Sequence, residues 1–226
     1  MIGIYVIFGV FMLISWAVSS QLKSKFNKYS RMGLRSGLSG REIAEKMLRD
    51  GGVDGVRVIS TPGKLTDHYN PLDRTVNLSP EVYNGRSISA AAVAAHECGH
   101  AIQHSRSYAF LKMRSALVPV ISVSSRYMQW ILLIGILTVQ AYPGILLAGI
   151  VMFAMTTLFS FITLPVEFDA TRRALLWLRE TGLTVGEEHH YAKDALKWAA
   201  LTYVVAALAS LATLMYYIMI FLGNRR

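Results

Sequence analysis

Three stretches of the chain are apolar without the regular polar interruptions of a soluble amphipathic element. Residues 2–18 carry no formal charge and include Ile, Val, Phe, Leu and Trp, close to the minimum needed to cross a hydrocarbon core about 30 Å thick. Residues 127–166 form a run of 40 uncharged positions. At about 1.5 Å per helical residue this run is roughly 60 Å long, twice the bilayer core, and predicts two spans. The break falls at Gln140-Ala141-Tyr142-Pro143-Gly144, so a hairpin is predicted with arms over residues 117–139 and 144–164. Arg126 lies inside the first arm, where it either snorkels or faces a polar interior. Residues 198–222 form a final uncharged stretch of 25, long enough to span with some tilt. Four transmembrane helices are expected.

The polar stretches follow shorter periods. Ser39-Gly40-Arg41-Glu42 is a capping-box pattern that opens a helix through Arg49, with Ile43, Ala44, Met47 and Leu48 on one face and Gly51-Gly52 as its stop. Residues 56–59 alternate in part like a strand, Thr61-Pro62-Gly63 breaks them, and residues 64–69 and 74–78 flank the turn Asn70-Pro71-Leu72-Asp73. A small β-meander is expected. Ser79-Pro80-Glu81 opens another helix that ends at Gly85, and either Ser87 or Ser89 caps a longer one that begins with an alanine run.

Composition agrees with a membrane protein. Charged residues make up only 16% of the chain and mean hydropathy is +0.38, against about 25% charged for soluble domains. The net charge of +9 fits a face against anionic lipid better than a nucleic-acid partner, which is not expected. Fifteen Lys and Arg fall within residues 23–114 and five within 172–197, with only Arg225 and Arg226 beyond the last span. The positive-inside rule therefore makes both polar stretches cytoplasmic; the two terminal arginines argue weakly the other way. Basic residues follow the first apolar run instead of preceding it, so an uncleaved anchor with its N-terminus outside is expected. The run from Lys23 to Arg35 reads as a cytoplasmic collar facing lipid. A single cysteine, Cys98, excludes an intramolecular disulfide framework.

Chemistry concentrates in His96-Glu97-Cys98-Gly99-His100, an HExxH pattern on the predicted alanine-rich helix. Residues four apart stack on one helix face, so both imidazoles can reach one Zn²⁺ at about 2.0–2.1 Å. Glu97 can address water on that metal without ligating it, as a catalytic base. Catalytic zinc needs a third protein ligand. A histidine ten residues after the first would supply it in one known plan, but position 106 is arginine. His104 is about 12 Å along the helix axis from His96, too far to close around the same ion; it reads as a supporting contact or a surface residue.

The third ligand is then expected from a downstream carboxylate on the same side of the membrane. Leu164-Pro165-Val166-Glu167-Phe168-Asp169 supplies two, and the two spans between His100 and Glu167 return the chain to the same face. Two apart on a helix, Glu167 and Asp169 point to different sides. Asp169 has an alternative partner in Arg173 at i+4, which favours Glu167 as the ligand.

HECGHAIQH, the segments Asp67-His68-Tyr69-Asn70-Pro71 and LSPEVYNG, the stretch PVEFDATRRAL and the late Ala200-Leu201-Thr202-Tyr203 together resemble the YugP-type neutral zinc metallopeptidases of bacterial membranes. HExGH followed by a glutamate near the end of a membrane helix is more distantly similar to the HtpX and CAAX prenyl protease group. The resemblance implies a gluzincin-like site with His96, His100 and Glu167 on zinc and Glu97 as base, in a bacterial inner membrane. It makes His68 a candidate for oxyanion or substrate contact, with a locally bonded turn histidine as the alternative; Tyr203 is a similar candidate or an interfacial anchor. The wider group reads Glu-x-x-Ala-Asp where this chain has Thr171, so the supporting aspartate is absent or replaced, with Asp169 as the substitute.

The expected architecture is a mainly α-helical integral membrane protein of four transmembrane helices plus a small α+β gluzincin-like catalytic domain. Residues 1–20 form the first anchor, 21–115 a cytoplasmic catalytic region, 116–165 the hairpin, 166–197 a cytoplasmic helical region with the third ligand, and 198–226 the last span and tail. The expected activity is zinc-dependent endopeptidase action on membrane or membrane-proximal polypeptides. A catalytically silent membrane scaffold with structural zinc is the competing reading. His189-His190 reads as part of a solvated loop, and Cys98 as a small packing residue.

Overall fold

The computed structural model describes residues 2–223. Elements run in the order α1 (Ile2–Tyr29), α2 (Gly40–Asp50), β1 (Arg57–Ser60), β2 (His68–Asn70), β3 (Thr75–Leu78), α3 (Pro80–Tyr83), α4 (Ile88–Ser105), α5 (Ala109–Thr138), α6 (Pro143–Glu180) and α7 (Glu187–Gly223). Among the described residues four helices are long and apolar enough to cross a membrane: Tyr5–Tyr29, Ala109–Thr138, Pro143–Glu180 and Glu187–Gly223. Each extends past the apolar run that predicts it. The 38-residue α6 is about 57 Å long, well beyond a bilayer core of about 30 Å, and runs on through Pro165. Arg225 and Arg226 lie outside the described residues.

Contacts divide the chain into two units, one comprising Met1–Ala17, Lys112–Leu164 and Thr202–Arg226, the other Val18–Leu111 and Pro165–Leu201. In the first, Leu132, Leu146, Ile150 and Phe221 form a buried cluster. A Cβ on Gly135 would lie 2.6 Å from Leu146 Cα, so the missing side chain is what lets α5 and α6 approach. Outward positions stay apolar, with Trp16 69% and Leu137 76% exposed; apolar surface on this scale marks a lipid or partner contact, not a water-facing wall.

The second unit has its own core. Ile43, Ala44, Met47 and Leu48 of α2 pack with Ala91, Ala94, Ala95, Cys98 and Ile102 of α4, with Val76 and Leu78 of β3, and with Ala174 and Leu178 of α6. The capping box forms: the Ser39 hydroxyl accepts from the Glu42 N–H, and the Glu42 carboxylate accepts from the Ser39 N–H. Such caps stabilise a helix by about 0.5–2 kcal/mol. Ser87, not Ser89, caps α4 by accepting from the Ala90 N–H. Alanines along α4 leave it buried on nearly every side, which places a helix at the centre of the unit.

The three-stranded sheet is not a meander. Its order is β1-β3-β2, with β1 parallel to β3 and β2 antiparallel to it. The β2–β3 turn is the expected one, with Asn70 Oδ1 accepting from the Leu72 N–H and Asn70 Nδ2 donating to Asp73. What differs is the segment after β1. The Thr61 N–H donates to the Leu78 carbonyl, and the Asp67 carboxylate accepts from the Ser79 N–H and hydroxyl. Both ends of the crossover are thus tied to the end of β3, one on each side, so β3 becomes the central strand. All four of its residues are buried, and polar Thr75 and Asn77 satisfy each other through Asn77 Nδ2 to Thr75 Oγ1 at 2.9 Å. Alternation along β1 and β2 reports partial burial but not pairing order.

Candidate metal centre

His96, Glu97 and His100 lie on the buried central helix α4, and Glu167 lies on α6, all in the same unit. The two helices meet at Gly99: a Cβ there would lie 2.7 Å from the Ala170 carbonyl oxygen and 3.1 Å from Ala170 Cα. Any larger residue collides with backbone, so the glycine between the two histidines sets how closely Glu167 approaches them.

One ligand atom from each of His96, His100 and Glu167 lies within 4.8 Å of the others. Glu167 Oε2 is 3.3 Å from His96 Nε2 and 3.6 Å from His100 Nε2. The imidazole rings stand nearly perpendicular, 86° between planes, with centroids 4.8 Å apart, so their Nε2 atoms converge on one oxygen. Glu167 is 2% exposed. Burial alone would raise its pKa, but the hydrogen bonds and charges of His100 and His96 outweigh burial and hold it far below the usual carboxylate range. His100 shows the reciprocal effect: burial opposes its charge, yet Glu167, Glu97 and Gln103 raise its pKa above the ordinary histidine value. The point where the three groups meet favours a positive charge.

The outer nitrogens are also engaged. His100 Nδ1 lies 3.1 Å from Gln103 Oε1, and His96 Nδ1 lies 3.2 Å from Thr171 Oγ1. Two imidazoles with occupied Nδ1 positions and inward Nε2 atoms, joined by one buried carboxylate, make a donor set suited to zinc: borderline nitrogen ligands plus an oxygen, with outer-shell bonds that fix ring orientation. His96, His100 and Glu167 are thus positioned to bind a metal.

Asp169 stands apart from this group. It accepts from Arg173 Nε at 2.6 Å, as its i+4 spacing suggests, and from Gln103 Nε2 at 2.9 Å. These bonds overcome the opposing effect of burial and lower its pKa. It does not replace the missing aspartate at His96; Thr171 itself reaches His96. Neither Gln103 nor Thr171 stands out by residue type, but each lies one helical turn after a ligand, at i+3 from His100 and i+4 from Glu167, and that spacing was the available signal.

The remaining candidates are scattered. His104 accepts or donates at Nδ1 to the Tyr69 hydroxyl at 2.8 Å, linking α4 to β2. His68 is exposed on β2, with Nδ1 2.7 Å from the Thr66 carbonyl; Nδ1 must carry the hydrogen there, so Nε2 can donate to an oxyanion only as imidazolium. Tyr203 lies on α7 in the other unit, 38% exposed. His189 and His190 are not in a loop but in the first turn of α7, with His189 bonded to Thr184. A glutamate pair at an N-terminus is favourable to that dipole, which explains the earlier helix start. Cys98 is buried against the Ala44 carbonyl, and burial pushes its thiol pKa well up, away from nucleophile chemistry. Part of the basic run after the first span binds protein: Lys25 and the Tyr29 hydroxyl both meet Asp194.

Residues 4–222 match the family model described as "Putative neutral zinc metallopeptidase". Over 225 residues the chain is 41% identical to "Putative membrane protease YugP" of Bacillus subtilis strain 168, covering 100% of this chain and 99% of that protein. No solved structure matches. With a family match along nearly its whole length and a buried two-histidine, one-glutamate donor set, the chain belongs to this zinc metallopeptidase family.

Proposed function

We propose that the protein is a membrane-embedded zinc endopeptidase of gluzincin-like design, with His96, His100 and Glu167 as ligands and Glu97 as general base. The observation that carries the proposal is the convergence of both Nε2 atoms on Glu167 Oε2, with Glu97 on the same helix beside His96. Zinc, when bound, supplies Lewis acidity that polarises a peptide carbonyl and acidifies nearby water. Glu97 accepts the proton as the water oxygen bonds to the carbonyl carbon, then delivers it to the amide nitrogen as the C–N bond breaks. Thr171 and Gln103 hold the two imidazoles.

Glu167 follows the uncharged run 127–166 directly, which supports a site within a helical turn or two of the membrane boundary. Substrates are then membrane proteins or segments delivered at the membrane. The scissile peptide pairs with the open edge of β2, which the Tyr69–His104 bond holds beside α4; strand addition presents a backbone carbonyl without demanding a particular sequence. The regions assigned from sequence remain the proposed organisation: an anchor over 1–20, a cytoplasmic catalytic region over 21–115, a hairpin over 116–165, a cytoplasmic helical region with the third ligand over 166–197, and a last span and tail over 198–226.

Glu97→Gln is expected to keep its zinc and to lose about 10²–10⁴-fold in hydrolysis. Comparing cleavage sites in membranes holding the active protein and this variant should reveal sites that vanish, mostly near membrane spans. Sites found mainly in soluble proteins would defeat the membrane-substrate reading; unchanged cleavage with full zinc would favour a scaffold with structural metal.

By the positive-inside rule the active site faces the cytoplasm of a bacterial inner membrane. Reporter fusions in the turn at residues 140–144 should report the outside, and one near Gly52 the cytoplasm. An outside signal at Gly52 inverts the molecule and its substrate pool.

A further inference from the structure

Gln103 is fully buried, 0% exposed. Its Oε1 lies 3.1 Å from His100 Nδ1, while its Nε2 donates to the Val166 carbonyl at 2.8 Å and to Asp169 Oδ2 at 2.9 Å. Two acceptors on one side of the amide permit only one orientation, with the NH₂ toward them. The oxygen that remains can only accept, so His100 must carry its hydrogen on Nδ1. In the neutral ring, the form that ligates a metal, Nε2 is then the atom left with a free lone pair, on the side where Glu167 Oε2 stands 3.6 Å away. Asp169 is itself held by Arg173 at 2.6 Å and Arg172 at 3.3 Å, so the amide is fixed from behind.

We propose that Gln103 is a positioning residue for the metal: it sets the tautomer of His100 and locks that ring to the stretch of α6 that carries Glu167. The inference rests on the zinc-site reading above. One amide touches the ring of His100 and the backbone carbonyl of Val166, the residue immediately before Glu167. The relay from Asp169 reaches His100 through a neutral group, so the ring is oriented without another charge being placed beside a carboxylate already at the site. Losing an outer-shell partner of a ligating histidine weakens metal affinity by about 10–100-fold.

The test is zinc affinity of the full-length protein in detergent, read by competition with a chelator, together with the visible spectrum of the cobalt-substituted form. Gln103→Met keeps the approximate length and bulk of the side chain and removes all three hydrogen bonds; zinc should bind about 10–100-fold more weakly and the cobalt bands should shift. Gln103→Glu alone places two carboxylates together and should also weaken binding. Adding Asp169→Asn removes the repulsion between the two carboxylates while the one at 103 still accepts from His100, so affinity should return part of the way toward wild type, the Val166 carbonyl having lost its donor. Packing alone predicts no such rescue. Zinc affinity within twofold of wild type and an unchanged cobalt spectrum in Gln103→Met would overturn the proposal. If Gln103→Met fails to fold, judged by its circular dichroism melt, the Gln103→Glu and paired variants decide: absence of rescue overturns it. A wild-type protein that binds no zinc defeats the metal-site reading and this proposal with it, whereas normal zinc binding with an indifferent Gln103 defeats only the latter.

Discussion

His96→Ala, His100→Ala and Glu167→Gln should each strip the protein of its zinc, about one ion per chain in the wild type. The three ligand atoms lie within 4.8 Å of one another, and removing one leaves two donors, too few to hold the ion against water and chelators. The amide in Glu167→Gln also loses the negative charge toward which both Nε2 atoms point, at 3.3 and 3.6 Å. Asp169→Asn tests the alternative carboxylate. Asp169 meets Gln103, Arg172 and Arg173, not the imidazole Nε2 atoms, so this variant should retain zinc with somewhat weaker affinity. Metal analysis of the four purified variants checks this. Loss in Asp169→Asn with retention in Glu167→Gln would make Asp169 the ligand; full occupancy in either histidine variant would remove the assignment altogether.

Gly99→Val should have nearly as large an effect without altering any ligand. Its first added carbon would stand 2.7 Å from the Ala170 carbonyl oxygen, inside contact distance and against backbone of a helix that cannot rotate the obstacle away. Overpacking of this kind costs about 1–3 kcal/mol, occasionally more. The larger consequence is geometric: Ala170 is three residues beyond Glu167 on α6, so forcing α4 and α6 apart at Gly99 draws the carboxylate away from both histidines. Zinc content and melting temperature should therefore fall together, Gly99→Ala showing the same trend less severely. Gly99→Val with full zinc content would mean that the close helix contact does not set the site.

Much of this follows from the one-dimensional pattern. The four apolar helices, the capping box at Ser39, the turn at Asn70 and the helical histidine pair are local or periodic features. A 40-residue uncharged run admits few solutions in a bilayer, and two histidines four apart share a face of any helix they occupy. Glu167 was also legible, because an even number of spans returns the chain to the same side and Asp169 had a nearer partner in Arg173. Helix lengths were less so. The charge-free runs mark where lipid is tolerated, not where helical hydrogen bonding stops, so α1, α6 and α7 continue beyond them into polar sequence.

Other features depended on contacts between distant segments. Strand order in the sheet came from Thr61 and Asp67 both bonding to the end of β3, and period-two alternation carries no record of which strand lies between the other two. The same holds for Thr171, whose residue type reads as a departure from the related pattern until its hydroxyl is found 3.2 Å from His96. Gln103 is one polar residue on a helix until α6 brings Val166 and Asp169 to its amide. The sequence alone determined the histidine pair and narrowed the third ligand to Glu167 or Asp169, since donor chemistry and helical spacing are local properties. Tertiary structure alone decided how those side chains are oriented, because the groups that fix each imidazole, Thr171 and Gln103 with its partners on α6, act across the helix contact that the bare backbone at Gly99 permits.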